Sequence, residues 1–284
     1  MTCIRVEYDS HVGDCLKVCR MAKDSFGRTT DWEYHYECSH LGEVHSALEK
    51  DGWEFDADCD EGGVRYHRMK EKDHRLLKML ARGMGQDEYE SIMHEATHCD
   101  PETLPKVMWR FRHTTPHLAP FGHNFITFKF QAPVFVMRQI VKHEYIRISE
   151  LSMRYVRGMP EYFRPKSWRS VADDVKQGSG GDHFLQDYWD KAVSDSYSSD
   201  GSFYNEALQS RLAPEQARMF LRLCHMTQGH LSGSIDAIAG LVTKRLDPHA
   251  QEETREFARK IERQCREIWP WSWPALMEGC DVNT

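Results

Sequence analysis

The stretch that most restricts the fold is residues 124–133. Asn124-Phe-Ile-Thr-Phe-Lys-Phe-Gln131 alternates strictly, with Ile126, Phe128 and Phe130 on one face and Phe125, Thr127, Lys129 and Gln131 on the other. Side chains of a strand point alternately to its two faces, so this is a strand with one buried side. Pro133 follows, and its fixed φ and missing N–H suit the first turn of a helix. Along that helix Val134, Met137, Ile140 and Val141 fall mainly to one side. Arg138, Gln139, Lys142 and His143 fall together on the other, linked by i,i+3 and i,i+4 spacing. With the helical patterns elsewhere, this predicts an α+β fold: a central mixed or antiparallel sheet packed with helices.

The rest of the chain is read around that unit. Ile4–Tyr8 alternates as a short strand and residues 12–22 read as a helix. Residues 24–72, punctuated by Gly52, Gly62 and Gly63, read as an insertion of loops and a hairpin, and 83–103 as a second insertion. Helices are expected over 73–82 and 102–112. A long loop or lid is expected over 174–206, where Gly178, Gly180 and Gly181 precede a Ser/Asp-rich run. From Pro214 the pattern reads as helical nearly to Trp269. A single domain over 1–284 accommodates all of this.

No run approaches the roughly 20 apolar residues of a membrane span, and the first residues lack a signal-peptide layout. The nine cysteines are an odd number without regular spacing, against a disulfide framework. These features predict a soluble, cytoplasmic protein without a membrane partner. The net charge of −7 argues against a nucleic-acid partner. Charge is nevertheless uneven: residues 138–169 hold eight Lys/Arg against three acids. A cationic stretch in an acidic chain suits a pocket for a small anion, or else a solvated face. The Arg, Gln, Lys and His wall favours an anionic, hydrogen-bonding ligand.

His94-Glu95-Ala-Thr-His98 satisfies H-E-x-x-H, which would place two zinc-ligating histidines on one helix face with Glu95 as general base. A zinc hydrolase at this segment is therefore the alternative from another class. Against it, a chain with 16 histidines meets the pattern easily by chance, and Cys99-Asp100-Pro101 would end the helix at once. No metal site is expected there or at Cys15 and Cys19.

Residues 117–155 carry a more specific pattern. His117-Leu-Ala-Pro-Phe-Gly-His123, the strand, Arg138-Gln-Ile-Val-Lys-His-Glu144 and Glu150-Leu-Ser-Met-Arg-Tyr155 occur in order. Tyr162-Phe-Arg-Pro165, Lys176-Gln-Gly-Ser179, Pro214-Glu-Gln-Ala-Arg218 and Lys244-Arg-Leu-Asp-Pro-His-Ala-Gln251 follow. Over roughly 104–270 the chain resembles the flavin-dependent thymidylate synthases, whose segments read H-x-S-P-F-E-H, R-Q-x-x-R-H-R, N-E-x-S-x-R-Y and L-R-x-x-x-H-A-Q. The resemblance implies methylation of C5 of dUMP, with methylenetetrahydrofolate as carbon donor and FAD, reduced by NADPH, as hydride carrier. It also implies a homotetramer with sites where subunits meet.

By the same resemblance Gln139, Lys142, Glu150, Leu151, Ser152, Met153 and Arg154 hold the nucleotide. Arg218 reaches its phosphate from another subunit. Arg245 holds the pyrimidine ring and favours its C5-nucleophilic form, and His117 lies near the flavin and folate rings; these two are the implied catalytic residues. Guanidinium forks suit phosphate and carbonyl oxygens, and ring polarisation needs no protein nucleophile.

The positions implied for FAD are Lys142, His143, Glu144, Ser149, Ser234, Asp236, Gly240 and His249, and several depart from the family. Where the family has R-H-R this chain has Lys142-His143-Glu144, and its N-x-R is Ser234-Ile235-Asp236. Ala119, Gly122, Ser149 and Gly240 also replace polar residues of the family pattern. Two arginines have become acids, which turns attraction for an anionic cofactor into repulsion. Four outcomes are open: methylation with FAD held by changed contacts, C5-hydroxymethylation without the hydride step, a different base or sugar such as dCMP or a ribonucleotide, or a retained scaffold without catalysis. The first is the expectation.

Overall fold

The alternating run forms the strand Phe125–Pro133, with Ile126, Phe128, Phe130 and Ala132 buried as its pattern requires. A computed structural model describes residues 3–277 apart from 25–27, 29, 38–47, 49, 52, 59–63, 84–85, 101–102, 104–106, 108–116, 157, 159–160 and 173–177. In chain order the elements are β1 (Arg5–Val12), α1 (Cys15–Asp24), β2 (Glu33–Glu37), β3 (Glu54–Asp58), β4 (Val64–Arg68), α2 (Glu71–Arg82) and α3 (Gln86–His98). Then come β5 (Phe125–Pro133), α4 (Val134–Ile140), β6 (Arg147–Glu150), α5 (Gln186–Gln209), α6 (Pro214–Ala217), β7 (Met226–Ser234), α7 (Ile235–Leu246), α8 (Glu252–Ile268) and α9 (Ser272–Met277). Backbone contacts group the chain, read above as a single domain, into two units: Met1–Val12 with Phe125–Ile268, and Gly13–Asn124 with Trp269–Thr284.

The first unit is built on a four-stranded antiparallel sheet of order β1-β5-β7-β6. Phe128, Leu231, Ile235, Ile238, Val242, Phe257 and Ile261 are fully buried. On α8 the buried residues Thr254, Phe257, Ala258, Ile261 and Cys265 follow the i,i+3/i+4 stripe of a core-facing helix. Phe257 meets Phe130 edge-on at 6.2 Å between ring centroids.

Three expectations are corrected here. The helical reading from Pro214 misses β7, the strand between β5 and β6. Its sequence, MTQGHLSGS, has two glycines and little of the β-branched or aromatic content that marks strands. Gly229 has a backbone reason: a Cβ there would overlap the carbonyl oxygen of Ser149 on β6. The loop over 174–206 is also revised, because residues 186–209 are the helix α5. Gly201, Tyr204 and Ala207 form its buried line, and the Ser and Asp residues occupy its wetter faces. Finally, α4 ends at Ile140, so Lys142 and His143 lie in the turn beyond it and Val141 is exposed.

In the second unit, the expected hairpin within 24–72 is β3–β4, and β2 pairs on the other side of β4 in the order β2-β4-β3. Leu16, Val18 and Cys19 of α1 and Leu77 of α2 are fully buried. The C-terminal segment is fastened here, Trp269 Nε1 donating to the Gly13 carbonyl at 3.0 Å. Buried Asp73 accepts from Lys23 and from Thr30 Oγ1. His94 and His98 are exposed on α3, their rings stacked at 4.1 Å, with His98 Nδ1 bonded to the His94 carbonyl. Among the described residues no three His, Cys, Asp or Glu side chains converge as a metal site. Most of the helix expected over 102–112, and residues 174–177 of the expected loop, fall outside the described residues. Among the described residues no helix is long and apolar enough to cross a membrane.

The close approach of β6 and β7 yields a prediction. Gly229→Ala should lower stability by about 1–3 kcal/mol, the usual cost of forcing an atom into packed backbone. Urea denaturation measures it, and an unchanged midpoint would contradict the Glu150–Gly229 register.

Candidate active site

Two helices of the first unit are fed directly by the central strands. β5 passes through Pro133 into α4, and β7 passes through Ser234 into α7. Arg245 sits in the last turn of α7, where a cation suits the helix C-terminus. Its guanidinium is held twice: Nε donates to His143 Nε2 at 2.8 Å, and Nη2 donates to the Gln139 carbonyl at 2.7 Å. The Gln139 side chain donates in turn to Gln251 Oε1 at 2.8 Å. Burial, then the charges of Arg245 and Lys244, push the His143 imidazole down to about 4. It is therefore a neutral acceptor at ordinary pH, and burial likewise lowers Arg245 from its usual value.

Gln139, Arg245 and Gln251 border a pocket of about 420 Å³, lined also by Arg169, Gly178, Ser179, His249 and Ala250. Arg169 donates through Nε to Ser179 Oγ at 2.7 Å and through Nη2 to Glu253 Oε1 at 2.6 Å. Glu253 is only 6% exposed. In the sequence Arg169 stands out only as part of the basic stretch, and Glu253 does not stand out at all. The available signal was the i,i+4 spacing that puts Glu253 beside Phe257 on the buried stripe of α8.

A second group lies where β6 ends. Leu151 N–H donates to the Gln228 carbonyl at 2.8 Å, carrying the chain past β7. Met153 packs against the buried cluster of Tyr204, Ala207 and Ala217. Arg154 Nη2 lies 3.7 Å from Glu215 Oε2 on α6, and Arg218 follows α6, exposed. Leu151 and Met153 line a smaller pocket of about 200 Å³ with Gln131, Glu161 and Thr227. Arg154 and Arg218 line neither of these two pockets.

The remaining predicted residues are dispersed. Lys142 and Glu144 are exposed, and Ser149 is exposed opposite His230 on β7. Glu150 pairs with Gly229, and Ser152 Oγ accepts from the Arg154 N–H at 3.4 Å. Exposed His249 pairs with Asp247 at 3.0 Å. His117 belongs to the second unit, exposed, its N–H bonded to the Leu80 carbonyl at 2.7 Å. Asp236, in the first turn of α7, has a buried Oδ1 with no hydrogen-bond partner. Gly240, four residues on and so on the same helix face, has open space where a Cβ would stand.

A family model described as thymidylate synthase complementing protein matches residues 65–271. The chain belongs to that family. Curated relatives named flavin-dependent thymidylate synthase include one from Thermosipho africanus, 30% identical over 168 residues, covering 57% of this chain and 72% of the relative. Another, from Thermus thermophilus, is 31% identical over 189 residues, covering 63% and 66%. Among solved structures, a UMP/dUMP methylase, PolB, from Streptomyces cacaoi bound with 5-Br dUMP is 19% identical with TM-score 0.65, covering 96% of this chain and 94% of that one. That likeness is one of fold, and it agrees with the α+β architecture read from the sequence.

The two ion pairs of this thymidylate synthase family member should differ in worth. Glu253→Ala leaves the guanidinium of Arg169 without its buried partner and should cost about 3 kcal/mol or more. Arg154→Ala, which breaks an exposed pair, should cost less than about 1 kcal/mol. Chemical denaturation of both variants checks the contrast; equal costs would contradict the burial assigned to Glu253.

Proposed function

We propose that the chain transfers a one-carbon unit to C5 of a pyrimidine nucleoside monophosphate, in the form of flavin-dependent methylation of dUMP to dTMP with methylenetetrahydrofolate. Family membership supports the one-carbon chemistry. The observation that carries the assignment to this site is Arg245, which lines a polar pocket and is held by the neutral imidazole of His143 and the Gln139 carbonyl. Guanidinium donors beside a pyrimidine stabilise negative charge on its carbonyl oxygens, and the electron density then available at C5 makes that carbon the nucleophile. Gln139 orders this wall through Gln251.

In this reading Ser152, Arg154 and Arg218 bind phosphate and sugar. Because Arg154 and Arg218 line neither pocket, the reading places copies of the chain together as a homotetramer, with one copy's Arg218 serving the nucleotide at another's Arg245. Bound FAD, kept reduced by NADPH, would supply the hydride that completes the methyl group. Ser234, Asp236, Gly240 and His249 are the residues that would hold it. Asp236 Oδ1 lacks a donor and Gly240 leaves open room, and the N–H and hydroxyl groups of a flavin are donors of the kind this oxygen needs. An acid at this position suits those donors rather than a phosphate.

A ribonucleotide is the second reading, favoured by the fold neighbour from Streptomyces cacaoi, which is described as acting on UMP and dUMP. The test is release of tritium from C5-labelled dUMP, UMP and dCMP with methylenetetrahydrofolate, FAD and NADPH, with chromatography of the product. Release from dUMP with formation of dTMP is expected. Release from UMP alone would replace the substrate, a hydroxymethyl product would replace the reaction, and no release from any of them would overturn the proposal. Arg218→Ala should weaken dUMP binding by about 2–4 kcal/mol, read by calorimetry. Unchanged affinity would remove Arg218 from the phosphate site.

A further inference from the structure

The two arginines of the larger pocket are fastened by opposite means. Arg169 is bound to the carboxylate of Glu253, so its charge is matched locally. Arg245 is bound to an imidazole nitrogen and a peptide carbonyl, both uncharged acceptors, and burial lowers it from its usual value. For Nε2 to accept from a guanidinium, the ring proton must sit on Nδ1, which fixes the tautomer. A carboxylate in that place would hold the same geometry but cancel much of the field that the guanidinium projects into the pocket.

We propose that His143 is the positioning residue for Arg245, fixing the guanidinium while leaving its positive charge uncompensated for the pyrimidine ring. This reassigns His143 from the cofactor to the nucleotide side of the site, and it rests on the pyrimidine reading above. The charged groups facing the imidazole are Lys244 and Arg245 from α7, with Lys142 and Glu144 on its own turn. Lys244 and Arg245 disfavour a second ring proton, and burial acts in the same direction, so the acceptor form persists across the working pH range.

The pair is tested first without substrate or cofactor. Histidine side-chain NMR, with the His143 signal assigned from its loss in His143→Gln, should show Nε2 unprotonated and titrating near pH 4. In Arg245→Gln the titration should move up toward the ordinary value. A wild-type His143 titrating normally, and indifferent to Arg245→Gln, would overturn the contact whatever the enzyme's reaction.

The charge argument is then tested with nucleotide alone, using dUMP carrying carbon-13 at C4, and with turnover. His143→Gln keeps a neutral acceptor and should retain the shifted C4 resonance of bound dUMP and turnover within about tenfold. His143→Glu keeps an acceptor but adds a negative charge. It should still bind dUMP, lose the C4 shift, and lose kcat by about 10²-fold with KM little changed, the scale for removing a charge-stabilising group. Equal kcat and C4 shift in the two variants would overturn the proposal. Failure of wild-type protein to bind dUMP would overturn the substrate reading, and with it the charge argument, while the titration result still stands or falls by itself.

Discussion

The candidate site depends on the nine-pair antiparallel ladder between β5 and β7. Pro133 pairs with Met226 at one end and Phe125 with Ser234 at the other, so α4 and α7 leave the ladder at opposite ends. Nine pairs extend about 30 Å at the rise of a strand. The 12 residues of α7 return about 18 Å of that length. Its last turn thereby meets the turn after α4, and Arg245 reaches His143 and the Gln139 carbonyl. Slipping the ladder by one residue would turn Ile126, Phe128 and Phe130 to solvent and move the arginine away from both acceptors.

What the sequence made legible follows the strength of its patterns. β5 is read correctly because alternation over eight residues admits one interpretation, whereas Arg245 stands out in the sequence because its segment carries a family motif. β7 is hidden because the backbone it faces demands glycine at position 229, and glycine carries no strand signal. α5 is hidden because its Ser and Asp residues resemble a loop when its buried line, Gly201, Tyr204 and Ala207, is not recognised. The neutral state of His143 is not a sequence property. It arises from burial and from the charges of Arg245 and Lys244, which long-range packing alone brings together.

The acids in place of the family's arginines acquire a physical setting. Glu144 is exposed, whereas Asp236 keeps one oxygen buried and without a donor. A buried acceptor left unmatched costs stability unless a ligand donates to it. Two of the departures from the family pattern, Asp236 and Gly240, thus share one face of α7, one helical turn apart, while Arg245 keeps its bonds to His143 and the Gln139 carbonyl.

The central claim is that Arg245 grips and polarises a pyrimidine ring. A crystal structure of the protein with bound dUMP tests it most directly. The account predicts the uracil edge within hydrogen-bond distance of the Arg245 guanidinium, with His143 still accepting from Nε and the phosphate on Arg154 and on Arg218 of a neighbouring copy. A nucleotide seated elsewhere, with Arg245 making no contact to the base, would contradict it.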